Sequence, residues 1–392
     1  MNRRARMVLG LAIPAAIVGG LLTRPFSSGA LATPDDAMAY LERIAGDEVP
    51  GIQYVAVTAD EVLMEFAGGW AHIGSMRPMT SDTTMMAFSM TKTVTAAAVM
   101  QLVEEGRLGL DDELDEFVPN TPYRGNGITI RHLLAHTAGI PNPIPLRWVH
   151  LAERSPGFDE AAALGAVLRE SPTLDAVPGE RYAYANLGYW LLGGVIEAVT
   201  GATYADHVRT RILEPLGVAD AVTVGISDPG RHASGYLARY SFTNLLKGLM
   251  TDSEVWGGYE GDWLRIRNHE LNGPAFGGLA GTARGFSRFL QDQLSGASVL
   301  FDAGTQRLFE TPQTTTAGEE LRMTLGWHVG EAGGERYLFK EGGGGGFHAE
   351  MRIYPDRGVG TVVMVNNTDF DSTSFLNRVD RPIVRGAGAD GG

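Results

Sequence analysis

The chain has 392 residues, a formal net charge of −14 and no cysteine. The missing cysteine excludes disulfides, thiolate metal sites, a cysteine nucleophile and lipidation on cysteine. The acidic balance argues against nucleic acid or an anionic membrane as partner, and the apolar and charged shares are those of an ordinary globular protein.

Arg3, Arg4 and Arg6 open the chain, Met7 to Leu22 is apolar, and Ala30-Leu31-Ala32 is a small-x-small cleavage signal. Such a stretch spans about 24 Å as helix, short of a bilayer core of about 30 Å, and Pro14, Gly19 and Gly20 weaken a permanent span. The sequence predicts a signal peptide over residues 1–32, with an uncleaved anchor as the alternative. The protein is then exported, periplasmic or secreted, and touches a membrane only through an uncleaved segment. Removing residues 1–32, which hold four arginines and no acidic residue, takes the net charge to −18.

Residues 35–45 read as an amphipathic helix and residues 51–57 as a strand, with a hairpin partner over 62–66. Residues 89–105 have helical composition, and Gly106 is a fitting stop. Further helices are expected over 158–170, 187–200, 204–213 and 285–294. Strands return over 325–329, 336–340, 349–354 and 360–366, before a closing helix over 372–384. Strands at both ends with helices between predict an α+β fold: one antiparallel sheet built from the two chain ends, flanked by helices, with an inserted mainly helical lobe. The sheet lobe would take about residues 33–86 and 275–385, the helical lobe about 87–274. Residues 386–392, rich in glycine, read as a disordered tail.

The chain holds three lysines against twenty-nine arginines. Lys92 follows Ser89 by three residues, and Lys340 heads Lys340-Glu341-Gly342 and an unbroken glycine run to Gly346. Arginine stays protonated and cannot take a proton from a nucleophile, whereas a buried lysine can. On a helix Ser89 and Lys92 share a face, and a hydroxyl at a helix start favours a developing anion. A helix cap followed by a surface lysine would give the same spacing. Tyr184-Ala185-Asn186 lies after Pro178-Gly179 and before an apolar helix. Its tyrosine and asparagine can project into one cleft, with Tyr184 moving protons if nearby lysines lower its pKa. A packed tyrosine and a capping asparagine are the structural alternative. The glycines after Lys340 let a backbone or substrate approach closely. His132 and His136 have a metal-compatible spacing but no glutamate between them, and a structural role is expected. The chain has no Gly-x-Ser-x-Gly elbow.

Taken together, Ser89-x-x-Lys92, Tyr184-x-Asn186 and Lys340-Glu341-Gly342 resemble, in order, the motifs of the serine β-lactamase and penicillin-binding-protein family. The likeness is to its class C branch of β-lactamases, D,D-peptidases and family VIII-type esterases. Gly106 to Asp112, Ile130 to Gly139, Gly277 to Arg284, Gly346-Phe347 and Tyr354 to Gly358 are similar to its connecting segments. The resemblance implies a β-lactamase/transpeptidase-like fold and an acyl-enzyme on Ser89, with no cofactor and no metal. It implies that Lys92 and Tyr184 share the acid–base work, that Lys340 supports the electrostatics and that Asn186 positions the acyl group. It puts the oxyanion hole at the backbone N–H of Ser89 and Gly343, beside Gly342.

Glu341 departs from the pattern, which has Thr or Ser there. If it faces the cleft it repels a substrate carboxylate, by about 1 kcal/mol at 4 Å in water. The expected function is an exported, carboxylesterase-like serine hydrolase acting on a neutral small-molecule ester, lactone or amide. The alternatives are a D,D-carboxypeptidase, D-aminopeptidase or β-lactamase on cell-wall-like substrates, and a non-catalytic ligand-binding descendant. Tyr236, Tyr240, Phe242, Trp256, Tyr259 and Trp263, within residues 232–272, are expected to form a cleft wall or lid, or to pack the lobe.

Overall fold

The computed structural model describes residues 31–143 and 148–387. Most of the expected leader and the end of the expected tail, 388–392, lie outside the described residues, but Gly386 and Ala387 belong to the last helix.

The two chain ends build one sheet. From the N-terminal end come β1 (Gly51–Val57), β2 (Val62–His72) and β3 (Arg77–Pro78). From the C-terminal end come β4 (His328–Ala332), β5 (Glu335–Gly344), β6 (Phe347–Tyr354) and β7 (Val359–Val365). The order is β4-β5-β6-β7-β1-β2-β3, so the ends meet where β7 pairs antiparallel with β1, Ile52 opposite Val365.

Helices cover both faces. The helices α1 (Pro34–Ile44), α2 (Thr91–Glu104), α3 (Asn186–Thr200), α4 (Ala283–Leu294) and α5 (Ser372–Ala387) are the longer ones that matter here. Ile52, Tyr54 and Ala56 of β1 join Leu41 and Ile44 of α1 and Phe375, Leu376 and Val379 of α5 in one apolar cluster. Val55 and Val57 join Phe286, Phe289 and Leu290 of α4 in another. This alternation explains why every position of β1 is buried. Each Leu-, Ile- or Phe-sized side chain so buried stabilises by about 1.5–3 kcal/mol. Gln53 is the polar exception. Its amide donates to Thr80 O at 2.6 Å and Thr83 O at 2.7 Å and accepts from Ala283 N at 2.8 Å, tying β1 to the start of α4.

The chain between β3 and β4 is less purely helical than its composition suggests. Among the described residues it carries two three-stranded sheets and a two-stranded one. At its centre α2 is buried from Thr91 to Leu102, as a helix apolar on all sides must be. Its threonines are satisfied: Thr93 donates to Gly326 O at 2.9 Å and Thr95 to Ala275 O at 2.7 Å.

Two expected strands change. Residues 325–327 form a turn, closed by Thr324 N–H to Trp327 O at 2.8 Å and Trp327 N–H to Thr324 Oγ1 at 3.1 Å. The strand begins only at His328. In contrast β5 does not stop at Lys340 but runs through the glycines to Gly344, paired with β6 along the way.

Candidate active site

The nucleophile candidate sits on a strained corner. After the short strand Met85–Met86, Phe88 adopts φ +46°, a conformation that costs a non-glycine residue about 1–3 kcal/mol. A 3₁₀ turn over Phe88–Met90 then leads into α2 at Thr91. Neither helix start has a side-chain cap, so Ser89 is not a cap, and its hydroxyl is left for other partners.

Those partners are the two expected side chains. Lys92 Nζ lies 3.0 Å from Ser89 Oγ and donates to Phe276 O at 2.6 Å. Tyr184 donates its hydroxyl to the same Ser89 oxygen at 2.8 Å, across 95 residues of sequence. Lys92 is fully buried. Burial, and then the charge of Lys340, hold its amine well below the ordinary lysine range. Tyr184 contradicts the expectation that neighbouring lysines lower its pKa. Burial raises its phenol well above the ordinary value, and the Ser89 hydrogen bond only partly offsets this. At rest Tyr184 is a proton donor, not a phenolate.

Lys340 is fully buried, and burial pushes it down to about 7. Its Nζ has no hydrogen-bond partner among the described residues and lies 5.4 Å from the Tyr184 ring centroid. Gly342 shows how close β5 comes to the nucleophile. A Cβ there would lie 2.2 Å from Ala87 O and 2.5 Å from Ser89 N. Pairing with β4 reaches only Phe339. The backbone around Gly342 and Gly343 therefore runs beside the Ser89 amide, as a two-donor oxyanion site requires.

Asn186 opens α3 next to Tyr184, and its N–H donates to Asn142 Oδ1 at 3.0 Å. Its own buried Oδ1 has no partner among the described residues. His136, at φ +56°, packs its ring 4.5 Å from that of Tyr184 and accepts the Ala185 N–H at Nδ1, 3.3 Å away. Burial, then the charges of Lys340 and His328, keep it neutral. It steadies the segment that carries Tyr184. His132 serves a different backbone segment, accepting Thr129 N–H at 3.2 Å. His328 was missed as a site residue. It meets the Tyr182 hydroxyl at 3.0 Å at Nε2, and its ring lies 6.4 Å from that of Tyr184. Its only sequence signal is an unremarkable strand start.

Glu341 requires a correction. It was expected to bind or repel substrate, but it points to the face of β5 opposite Lys340 and Gly342. There its carboxylate takes a 2.8 Å contact from His348 Nε2. Burial would raise it, yet the His348 hydrogen bond and charge bring it below the usual carboxylate value. The carboxylate faces His348 and not the Lys340 side of the strand, so the repulsion argument loses its footing. The six aromatics of residues 232–272 likewise make no ring contact or hydrogen bond with Ser89, Lys92, Tyr184 or Lys340 among the described residues. Tyr236 is buried, receiving Ile73 N–H and donating to Glu260, each at 2.8 Å. Tyr240, Phe242 and Tyr259 are exposed. Their small sheet buttresses the glycine turn instead, through Tyr236 N–H to Gly346 O at 3.0 Å.

A family model described as Beta-lactamase matches residues 39–383. The chain is 26% identical to the D-aminopeptidase of Brucella anthropi over 321 residues, 81% of this chain and 56% of that one. It is 30% identical to penicillin-binding protein 4* of Bacillus subtilis (strain 168) over 164 residues, 42% of this chain and 36% of that one. The matches thus span only 36% to 56% of these curated relatives' lengths. The D-amino acid amidase from Ochrobactrum anthropi SV3, complexed with L-phenylalanine amide, superposes with a TM-score of 0.74 at 21% identity, over 90% of this chain and 99% of that one. EstCE1, a hydrolase with promiscuous acyltransferase activity, gives 0.65 at 20% identity, over 91% and 98%. At these identities the structural likeness speaks for the fold.

Proposed function

The chain belongs to the beta-lactamase family of serine hydrolases, and on that premise we propose that it hydrolyses esters, lactones or amides through an acyl-enzyme on Ser89. One observation carries the reading: Ser89 Oγ lies 3.0 Å from Lys92 Nζ and 2.8 Å from the Tyr184 hydroxyl. A neutral amine has one lone pair. With an N–H of Lys92 committed to Phe276 O, that lone pair can take the Ser89 proton while Tyr184 donates to Ser89 Oγ.

Ser89 Oγ attacks the acyl carbon and its proton passes to Lys92. The carbonyl oxygen becomes an oxyanion facing the N–H groups of Ser89 and Gly343. Collapse breaks the bond to the leaving group, which takes the Tyr184 proton, and the Lys92 ammonium restores it. Water then attacks the acyl-enzyme with the same groups in reverse. Asn186, with its unpartnered amide oxygen, would hold the acyl side of the substrate. A non-catalytic descendant would have no use for two fully buried lysines, whose desolvation costs stability.

The D-aminopeptidase match over 81% of the chain favours a second reading, hydrolysis of D-amino-acid amides or short D-peptides. Residues 1–32 support export of either enzyme. The test is intact-mass analysis after a fluorophosphonate probe, followed by turnover of p-nitrophenyl esters, D-amino-acid amides and nitrocefin. A single adduct, absent in Ser89→Ala, and ester turnover are expected. An adduct that survives in Ser89→Ala would remove the nucleophile, and faster nitrocefin than ester turnover would remove the ester preference.

A further inference from the structure

We infer that His348 is a positioning residue for the Ser89 reaction, an imidazolium clamped beneath Glu341 and Gly343 that holds the β5 backbone against the Ser89 amide. The inference rests on the hydrolase reading above. It starts from the polar atoms around the ring. Nδ1 lies 3.2 Å from Thr368 O, a carbonyl that only accepts. Nε2 lies 2.8 Å from Glu341 Oε1 and 3.1 Å from Ser372 Oγ. Ser372 commits its own proton to Glu350 Oε2 at 2.6 Å, so its oxygen also faces the ring as an acceptor. Acceptors on both nitrogens call for protons on both.

The ring is placed to act on β5. Gly343 pairs with His348 in the sheet, and a Cβ on Gly343 would lie 2.8 Å from His348 Nδ1. The imidazolium therefore fills the space beside the residue expected to donate to the oxyanion and binds the carboxylate two residues before it. On the other face of β5, Gly342 meets Ala87 O and Ser89 N. The strand is gripped from both sides at this point.

The charged groups facing His348 are Glu341 from β5, Glu350 from β6 and, through Glu341, Arg352 and Asp371. Burial alone would lower the imidazole's pKa, but the hydrogen bond and charge of Glu341, with smaller help from Thr368 O and Glu350, raise it on balance. The sign follows. The clamp is complete at low pH and is lost as pH rises through this raised value.

The test uses the full chain with ¹³C-labelled histidine and follows His348, assigned with His348→Gln. The expected result is a ring still protonated at pH 7 in the wild type. Glu341→Gln, isosteric and partly exposed, should lower its midpoint by about 1–3 units. The alkaline limb of Ser89 labelling by the fluorophosphonate should fall by the same amount. A ring already neutral at pH 7, or an alkaline limb that is missing or unmoved in Glu341→Gln, overturns the role. Failure of the wild type to label at any pH would sink the hydrolase reading and this role with it. Labelling that ignores Glu341→Gln sinks this role alone.

Discussion

Lys92 and Lys340 set their side-chain nitrogens against one ring, 5.1 and 5.4 Å from the centroid of Tyr184. Both are fully buried, and the charge of Lys340 adds to burial in keeping Lys92 below its ordinary range. The chain has no other lysine but Lys247. Two of its three exceptions to arginine lie where a removable proton matters.

Lys340→Met removes one of the two influences that lower Lys92. Lys92 would then hold its proton to higher pH, and the acid limb of kcat/KM should move upward. A pH profile of fluorophosphonate labelling checks this without needing the natural substrate. A limb that stays put or moves down would show that Lys340 does not set the state of Lys92.

The same variant should be more stable. Lys340 Nζ is buried without a hydrogen-bond partner, and an unsatisfied buried group costs about 1–3 kcal/mol. Because burial depresses the folded-state pKa to about 7, the penalty grows as pH falls below the unfolded lysine value. The gain in Tm for Lys340→Met should therefore be larger at pH 6 than at pH 9, as thermal melts would show.

Tyr184→Phe keeps the ring but loses the proton that reaches Ser89 Oγ. A drop in kcat of about 10²–10⁴-fold is expected, with a small change in KM. Lys92→Arg should be no better than Lys92→Met, because guanidinium keeps its proton. Steady-state turnover of a p-nitrophenyl ester decides both, and an active Lys92→Arg would rule out lysine as the base.

Gly342→Ala places a methyl 2.2 Å from Ala87 O and 2.5 Å from Ser89 N, both backbone atoms. The strand must move off the nucleophile. A loss in kcat of about 10²–10³-fold, the scale of one missing oxyanion donor, should appear with the circular dichroism of the fold retained.

Arg352 and Glu350 form a fully buried pair at 2.6 Å behind the active strand, and Arg352 also donates to Tyr354 and Asn377. Arg352→Met leaves an uncompensated carboxylate and should cost about 3–5 kcal/mol. Arg352→Met with Glu350→Leu should recover part of it in urea denaturation.

Short-range patterns were legible because they repeat at the period of their element. The apolar spacing around α1 and α5 and the β-rich tail predicted elements that differ from the observed ones by a few residues at their ends. Residues 325–327 failed because Thr324 and Trp327 close a turn that β composition does not reveal. The glycine run failed in the other direction. Glycine is disfavoured in strands, yet Gly342 and Gly343 stay in β5 because any side chain there would strike Ser89 or His348.

The identities of the reacting groups were fixed by the amino-acid sequence, since few residue types can attack, take a proton or give one, and Ser89, Lys92 and Tyr184 stood in a familiar order. What surrounds them was decided by folding. Whether Glu341 faces substrate or His348 depends on the pleat of β5 and on its register with β6. The meetings of Tyr184 with His136 and of Gly343 with His348 depend on how separate segments pack. Local sequence carries the chemistry of a side chain but not the direction in which the sheet turns it, and that direction separates a group that touches substrate from one that braces the strand behind it.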